Sequence, residues 1–369
     1  MKKPFRLSAG QVTLGSPLPW DIYDNEMNLL LRRGFLIDKA SQLQALIDRG
    51  VYVDADAYEA ALESRQPVAI AGDPFQCWDE IVAKLALLLT RRANGVSLES
   101  NALDIGRRVH ALVQRCADAC IAAISLTMDQ RRYATVHSLH VAVLCEMLAA
   151  RLGWGPQRRL ELVCAALTMN IGMHELQQHL SNQQEALTPD QQRQLQQHPS
   201  AGVRILRDGG VHSDDWLTSV ENHHEVSDGS GYPHHLTELS DEAIILHTID
   251  VFCAKISPRT YRKAISTTQA ERILFGNERQ NDFVPLLIKE IGIYPPGTFV
   301  KLANGEVAVV YRRSSSAKAP HVLSLYNSRG EPLTELIQRN TAADNLMIVA
   351  EVPRERITRE INPSRIWSR

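Results

Sequence analysis

The sequence of 369 residues lacks any marked excess of charge, since 40 Lys and Arg stand against 42 Asp and Glu. The formal net charge of −2 argues against nucleic acid as a partner, because nucleic-acid-binding domains usually carry a basic excess. Aromatic residues are also sparse, at 6%. Hydrophobic residues make up 44% and charged residues 22%, which is typical of a folded globular chain and excludes a mostly disordered one.

Long apolar runs are missing as well. The longest, Ile81 to Leu89, is interrupted by Lys84 and falls far short of the roughly 20 residues that cross a bilayer. The N-terminal segment MKKPFRLSAG has basic residues but no apolar core, so it does not predict a signal peptide. None of the six cysteines forms a CxxC pair, and most lie in apolar, helical-looking sequence. We therefore expect free thiols and a reducing, cytoplasmic location without a membrane span.

Four zones follow one another along the chain. Residues 1–67 predict a small α+β module, with two strand-like runs around the turn at Asp24 and a helix that stops at Gly50. Residues 68–130 predict a helical connector of two long helices, the first of which is expected to end at Gly95. These helices would form either a signalling connector or the outer layer of the next domain.

Residues 131–292 have a helical pattern and hold most of the 13 histidines. Thr188, Pro189 and Gln191 form a helix-start signal, and we expect that helix to end near His198-Pro199. Residues 293–369 predict a small β-rich appendage that begins with a hairpin at Asn304-Gly305 and continues with a third strand.

Histidines and one aspartate form the candidate site. Imidazoles and a carboxylate from several helices can converge in a bundle core and bind Fe, Mn, Zn or Ni. The candidate ligands are His137, His198, His223, His224 and Asp250. A single helical histidine is more often a surface residue or a satisfied core residue. Adjacent residues on a helix point about 100° apart, so His223 and His224 can serve one metal only if the helix bends or ends there.

The segment HHEVSDGSGYP, residues 223–233, is the most distinctive in the chain. It resembles the HHExxDGxGYP hallmark of the HD-GYP family, a subgroup of the HD superfamily of metal-dependent phosphohydrolases. Further similarity lies in VHSLHVAVL with His137, HPSAGVRIL with His198 and TIDVFCAK with Asp250. The match extends over residues 131–325. The N-terminal zone is more weakly similar to modules that precede some domains of this family.

The resemblance implies hydrolysis of cyclic di-GMP, a bacterial second messenger, at two or three metal ions, often iron or manganese. It implies that the five candidate ligands hold metal and that Arg259, Arg262 and Lys263 meet the phosphates of the ligand. In the family, the GYP loop is associated with docking onto GGDEF-type diguanylate cyclases. Here that loop comprises Asp228, Gly229, Gly231, Tyr232 and Pro233.

The sequence departs from the family at its central motif, where His-Asp-Ile-Gly-Lys is replaced by Met169-Asn170-Ile171-Gly172-Met173. A methionine thioether is a soft ligand that suits hard or borderline divalent ions poorly, and Asn170 is a neutral amide that bridges two metals poorly. Met173 removes the ammonium group that would meet a phosphate. The first metal position would keep only His137 and Asp250, whereas the second would keep three histidines.

These observations predict a mainly α protein: an HD-superfamily helical bundle with a small N-terminal α+β module and a small C-terminal β appendage. The leading hypothesis is a degenerate, non-hydrolytic HD-GYP protein of cyclic di-GMP signalling. It would bind the nucleotide, GGDEF-type cyclases or other signalling proteins, and one divalent metal (Fe, Mn or Zn) or none. One alternative is a slow or unusual metal-dependent phosphodiesterase, and another is a metal-free structural scaffold. The helices at residues 81–126 would allow a homodimer.

Overall fold

The N-terminal module of this computed structural model contains a four-stranded antiparallel sheet and the helix that follows its third strand in sequence. The structure describes residues 3–7, 11–12, 14–58, 72–90, 97–127, 129–257, 269–270, 273 and 281–367. The strand order is β1-β4-β2-β3. The elements are β1 (Pro4–Arg6), β2 (Ile22–Tyr23), β3 (Leu29–Leu31), α1 (Ala40–Arg49) and β4 (Tyr52–Asp54). The predicted turn is confirmed, because Asp24 Oδ1 accepts hydrogen bonds from the backbone of Glu26 and Asn28. Gly50 ends α1 with φ 78°, a value that favours glycine.

A layered bundle of helices forms the body of the protein. Its helices are α2 (Pro74–Thr90), α3 (Leu98–Leu126), α4 (Tyr133–Arg151), α5 (Pro156–Thr168), α6 (His174–Leu180), α7 (Pro189–Asp208), α8 (Asp214–Asn222), α9 (Asp241–Ile256) and α10 (Phe283–Ile291). One hydrophobic core runs from Phe75 on α2 to Ile291 on α10. The two helices of the expected connector therefore pack into the same core as the rest of the bundle. This packing supports the outer-layer alternative for residues 68–130.

Helix α4 lies at the centre of the bundle, since every residue from Tyr133 to Ala149 is buried. A helix that is apolar on all sides is typical of a core position. Helices Leu98–Leu126 and Gln130–Arg151 are long and apolar enough to cross a membrane by length and composition alone. Within the fold, 56% and 94% of their most apolar windows are buried, as in the core helices of other proteins.

A five-stranded antiparallel sheet of order β8-β7-β6-β5-β9 forms the C-terminal appendage. Its strands are β5 (Phe299–Leu302), β6 (Val307–Arg312), β7 (His321–Tyr326), β8 (Pro332–Asn340) and β9 (Ile348–Glu351), and α11 (Pro363–Trp367) follows. The predicted hairpin is confirmed, since β5 pairs with β6 across Gly305, which has φ 88°. Arg313 fixes the sheet to the bundle by donating to Asp118 on α3 at 2.6 Å and to Glu290 on α10 at 2.8 Å.

The expected end of helix α7 near Pro199 was wrong. The capping box at Thr188 is present, but the helix continues through Pro199 to Asp208. Proline removes one helical hydrogen bond. The turns beyond it bury Val203 and Leu206 in the bundle core, which favours continuation of the helix. The expected helix end at Gly95 lies outside the described residues.

Glu161 on α5 makes the stability of the bundle depend on pH. Its side chain is buried and accepts a hydrogen bond from Gln157 at 2.6 Å. Burial raises the pKa of this carboxyl from 4.5 to about 7. Between these values the folded chain binds more protons than the unfolded chain, so this carboxyl lowers the free energy of unfolding as pH rises.

We expect Glu161→Gln to remove that loss, because glutamine stays neutral. The free energy of unfolding of the variant, relative to the wild type, should grow by about 3 kcal/mol between pH 4.5 and pH 8. Urea titrations at several pH values measure this difference. Glu185→Gln, at an exposed position, is the matched control and should show no such growth. Parallel pH profiles for wild type and Glu161→Gln would contradict the assignment.

Candidate metal centre

Three histidines converge where α8 ends. The last residue of helix α8 is Asn222, and His223 is its C-cap residue with φ −68° and ψ −7°, so the regular helix ends at this pair of histidines. His198 approaches from α7. One ring nitrogen from each of the three lies within 4.8 Å of the others. The structure therefore provides the helix end that two adjacent histidines need to face one centre.

The hydrogen bonds of the rings leave their outer nitrogens pointing at each other. His198 Nδ1 lies 2.6 Å from Leu195 O and His223 Nδ1 lies 2.7 Å from Val220 O, so both Nδ1 atoms act as donors. In a neutral imidazole the other nitrogen then carries a lone pair. The two Nε2 atoms lie only 3.2 Å apart. Facing lone pairs at this distance repel, and a cation between them would relieve the repulsion.

The protonation state of the three histidines also favours a bound cation. Burial, and then the neighbouring His223, lowers the pKa of His198 to about 3. Burial also lowers the pKa of His223 and, more strongly, that of His224. All three rings are therefore neutral at neutral pH, and neutral imidazole is the form that binds metal. The donor set fits one divalent ion with three nitrogen ligands.

The other two predicted ligands bind each other. His137 Nε2 on α4 lies 2.7 Å from Asp250 Oδ1 on α9, and both residues are buried. Burial alone would raise the pKa of Asp250, but the hydrogen bond from His137 holds it well below its usual range. One carboxylate oxygen of Asp250 is thus already hydrogen-bonded to a side chain of the protein.

The divergent motif lies directly after α5. Met169 is fully buried and belongs to the hydrophobic core. Asn170 is also buried, and its Oδ1 atom has no hydrogen-bond partner within the described part of the chain. Met173 is half-buried. An apolar thioether and one amide oxygen therefore stand where the family pattern has a histidine and a carboxylate.

The GYP loop folds back over the histidine cluster. The Tyr232 backbone donates to His224 O at 3.1 Å, and its ring stacks on the His224 ring with centroids 4.7 Å apart. Gly231 is required here, since a Cβ atom would lie 2.4 Å from Val226 N. Asp228 and Ser230 are exposed at the tip, whereas Gly229, Tyr232 and Pro233 are half-buried.

Two residues that sequence reasoning did not single out support this arrangement. Glu225 is buried, and its carboxylate accepts hydrogen bonds from the backbone of His234 at 2.5 Å and of Leu236 at 3.0 Å. His247 Nδ1 lies 3.0 Å from His223 O. The Glu in HHE and the spacing of His247 three residues before Asp250 were the available signals. Arg259, Arg262 and Lys263 lie outside the described residues.

Comparison with known proteins identifies the family. The HD domain matches residues 114–283 of the chain. The chain is 28% identical to a cyclic di-GMP phosphodiesterase of Pseudomonas aeruginosa in an alignment of 333 residues that covers 81% of this chain and 80% of that protein. This chain therefore contains an HD domain over residues 114–283. The predicted resemblance is thereby confirmed.

Other relatives cover less of the length of this chain. It is 26% identical to a cyclic di-GMP phosphodiesterase of Borreliella burgdorferi over 196 residues, 52% of each protein. It is 24% identical to a 3'3'-cGAMP-specific phosphodiesterase of Vibrio cholerae over 65% of this chain and 58% of that protein. An HDG"Y"P protein from Bdellovibrio bacteriovorus aligns at 14% identity with a TM-score of 0.45, over 77% of this chain and 98% of that chain.

A substitution at Gly172 tests the packing that positions His198. A Cβ atom at residue 172 would lie 2.3 Å from His198 O and 2.8 Å from Gly202 N, both backbone atoms that cannot rotate away. We expect Gly172→Ala to lower the free energy of unfolding by about 2 kcal/mol or more, because the α7 backbone must shift. Urea denaturation measures the change.

Gly202→Ala, at the facing position, is the matched control. Its added Cβ would meet only ordinary contacts at 3.4 Å and beyond. Because alanine favours a helix over glycine by about 1 kcal/mol, this variant should be as stable as the wild type or more stable. Equal stability of Gly172→Ala and Gly202→Ala would show that the close approach is not real.

Proposed function

We propose that this chain is a degenerate HD-GYP protein of bacterial cyclic di-GMP signalling that binds its ligand without hydrolysing it. It would act in the cytoplasm through nucleotide binding and through contacts with other signalling proteins. The observation that carries this proposal is the state of the first metal position. Met169 is buried in the apolar core, and His137 and Asp250 bind each other.

One metal ion suits the remaining donor set. His198, His223 and His224 would hold it, and Fe, Mn or Zn match three imidazole ligands. A divalent ion supplies Lewis-acid polarisation of phosphate oxygens. Two metals about 4 Å apart are needed to stabilise both the attacking and the leaving oxygen of an in-line displacement. The residues around Met169 and Asn170 offer too few ligands for the second ion.

The ligand class follows from the relatives and from the basic segment after α9. Relatives named for cyclic di-GMP and for 3'3'-cGAMP support a cyclic dinucleotide as the ligand. Arg259, Arg262 and Lys263 are proposed to meet its phosphates, because guanidinium groups match phosphate oxygens in a bidentate fashion. Each charge-assisted hydrogen bond of this kind contributes about 1.5–3 kcal/mol.

Residues 228–233 are proposed as a docking loop for a GGDEF-type diguanylate cyclase. The exposed tip at Asp228 and Ser230 is available to a partner, while Tyr232 and Glu225 hold the base of the loop in place. Asp228→Ala with Ser230→Ala should therefore weaken capture of such a cyclase in a pull-down while metal content stays the same. Unchanged capture would remove the loop from the interface.

A slow phosphodiesterase is the second candidate. The intact triad of histidines favours it, because one metal with a neutral imidazole set still activates water to some extent. A single-turnover experiment distinguishes the slow phosphodiesterase from the non-hydrolytic binding protein, because only the former would convert cyclic di-GMP to a product. A metal-free scaffold is the third hypothesis, and the facing Nε2 atoms of His198 and His223 weigh against it.

We expect cyclic di-GMP to survive incubation with an excess of the protein in the presence of Mn²⁺ or anaerobic Fe²⁺. Excess protein reveals even one slow turnover, and chromatography follows the nucleotide. Equilibrium dialysis in the same buffers should show the nucleotide bound. Linear dinucleotide or GMP that disappears in His223→Ala/His224→Ala would overturn the non-hydrolytic proposal in favour of the slow enzyme.

Binding has its own matched control. Arg259→Ala/Arg262→Ala should lower the affinity about tenfold or more, given the strength of charge-assisted hydrogen bonds. Arg204→Ala/Arg207→Ala removes the same charge from exposed positions on α7 and should leave the affinity unchanged. Equal losses in the two variants would indicate a general electrostatic effect and not a phosphate site.

A further inference from the structure

Glu221 joins three segments of the chain beside the histidine cluster. Its Oε1 atom accepts a hydrogen bond from Ser200 Oγ on α7 at 2.5 Å. The same oxygen lies 3.0 Å from Nε2 of His234, the residue that directly follows the GYP loop. Because a carboxylate only accepts hydrogen bonds, the N–H group of His234 is the donor. One carboxylate near the end of α8 therefore binds both α7 and the chain that leaves the GYP loop.

Two of these residues lie close in sequence to the candidate metal ligands. Ser200 comes two residues after His198, and Glu221 comes two residues before His223. The hydrogen bond between Ser200 and Glu221 thus joins α7 and α8 next to the point at which each helix presents an imidazole. A change in the separation of the helices there would change the 3.2 Å distance between Nε2 of His198 and Nε2 of His223.

The contact between Glu221 and His234 extends this connection to the loop. Only 20% of the Glu221 side chain is exposed, so the loss of a donor leaves a largely desolvated carboxylate poorly satisfied. Half of the His234 side chain is exposed, so a partner bound to the loop can reach it. The backbone N–H of His234 also donates to Glu225. Two carboxylates therefore hold the residue at which the loop ends.

We propose that Glu221 is a positioning residue through which His234 raises the metal affinity of the three-histidine cluster. This inference rests on the proposed metal centre. His234 is not one of the clustered ligands, and its Nε2 atom is bound to Glu221. Held from both sides, the carboxylate keeps α7 and α8 at the separation at which their imidazoles face one ion. Coupling of this kind is reciprocal, so a partner that draws His234 away from Glu221 would weaken metal binding.

Cobalt binding by the full-length protein tests this role. Co²⁺ is a divalent ion that imidazole binds, and its absorption spectrum reports the ligand set. We expect His234→Ala to weaken Co²⁺ binding about fivefold, at the lower end of typical coupling between sites, with an unchanged spectrum at saturation. Glu221→Ala should weaken it at least as much. Glu221→Gln should restore most of the affinity, because its amide oxygen still accepts both hydrogen bonds.

His235→Ala is the matched control for His234→Ala. His235 is the adjacent histidine, it is exposed, and it takes no part in the contact with Glu221. We expect this variant to bind Co²⁺ as tightly as the wild type. Equal losses in His234→Ala and His235→Ala would show that the exposed histidines act alike and without Glu221, and would overturn the proposal.

A double variant decides whether His234 acts through Glu221. If it does, Glu221→Ala/His234→Ala binds Co²⁺ as tightly as Glu221→Ala alone, because the second substitution removes a contact that no longer exists. A further loss of affinity in the double variant would overturn the role of Glu221, and so would wild-type affinity in His234→Ala. Failure of the metal centre is a different result, in which the wild type and His223→Ala/His224→Ala bind Co²⁺ equally, and it would overturn this inference as well.

Discussion

The end of helix α8 at Asn222 is the constraint on which the candidate site depends. If the helix continued, His223 and His224 would point about 100° apart, and only one of them could face His198. Because the helix stops, both rings turn toward the same point. The loop that follows then returns over the cluster, with Glu225 binding its far side and Tyr232 stacking on His224. Helix end, ligands and loop are therefore one structural unit.

The side of the site formed by His137, Met169, Asn170 and Asp250 has fewer groups available to bind a metal ion than the family pattern has. Asp250 and His137 are hydrogen-bonded to each other at 2.7 Å, so each of these two candidate ligands already has a partner within the protein. Met169 adds its volume to the apolar core, and Asn170 contributes a neutral amide. An uncharged thioether and an uncharged amide attract a cation less than an imidazole and a carboxylate would. The facing Nε2 atoms of His198 and His223, in contrast, still favour a cation between them. These contacts support the proposal of a single metal position at His198, His223 and His224.

Much of this architecture could be predicted from the sequence where the signal is local. The capping box at Thr188 and the hairpin at Gly305 were confirmed, because both depend on a few adjacent residues. The course of α7 beyond Pro199 could not be predicted in this way. It depends on burial of Val203 and Leu206 against other helices, which outweighs the local preference of proline.

The site itself was predicted in part. The family resemblance predicted the three histidines and placed His137 with Asp250 at one metal position, but the direct hydrogen bond between His137 and Asp250, 113 positions apart, is visible only in the fold. Glu225 was visible as part of HHE, yet its role requires the backbone of residues 234 and 236, whose return path the sequence does not specify.

The central claim is that one metal position is retained and the other is closed. Elemental analysis of protein loaded anaerobically with Fe²⁺ or Mn²⁺ and desalted tests it most directly, with Met169→His/Asn170→Asp measured in parallel. We predict one metal ion per wild-type chain, none in His223→Ala/His224→Ala, and a second ion in the variant that restores the motif. Two ions per wild-type chain would contradict the account, and so would a wild-type chain that holds none.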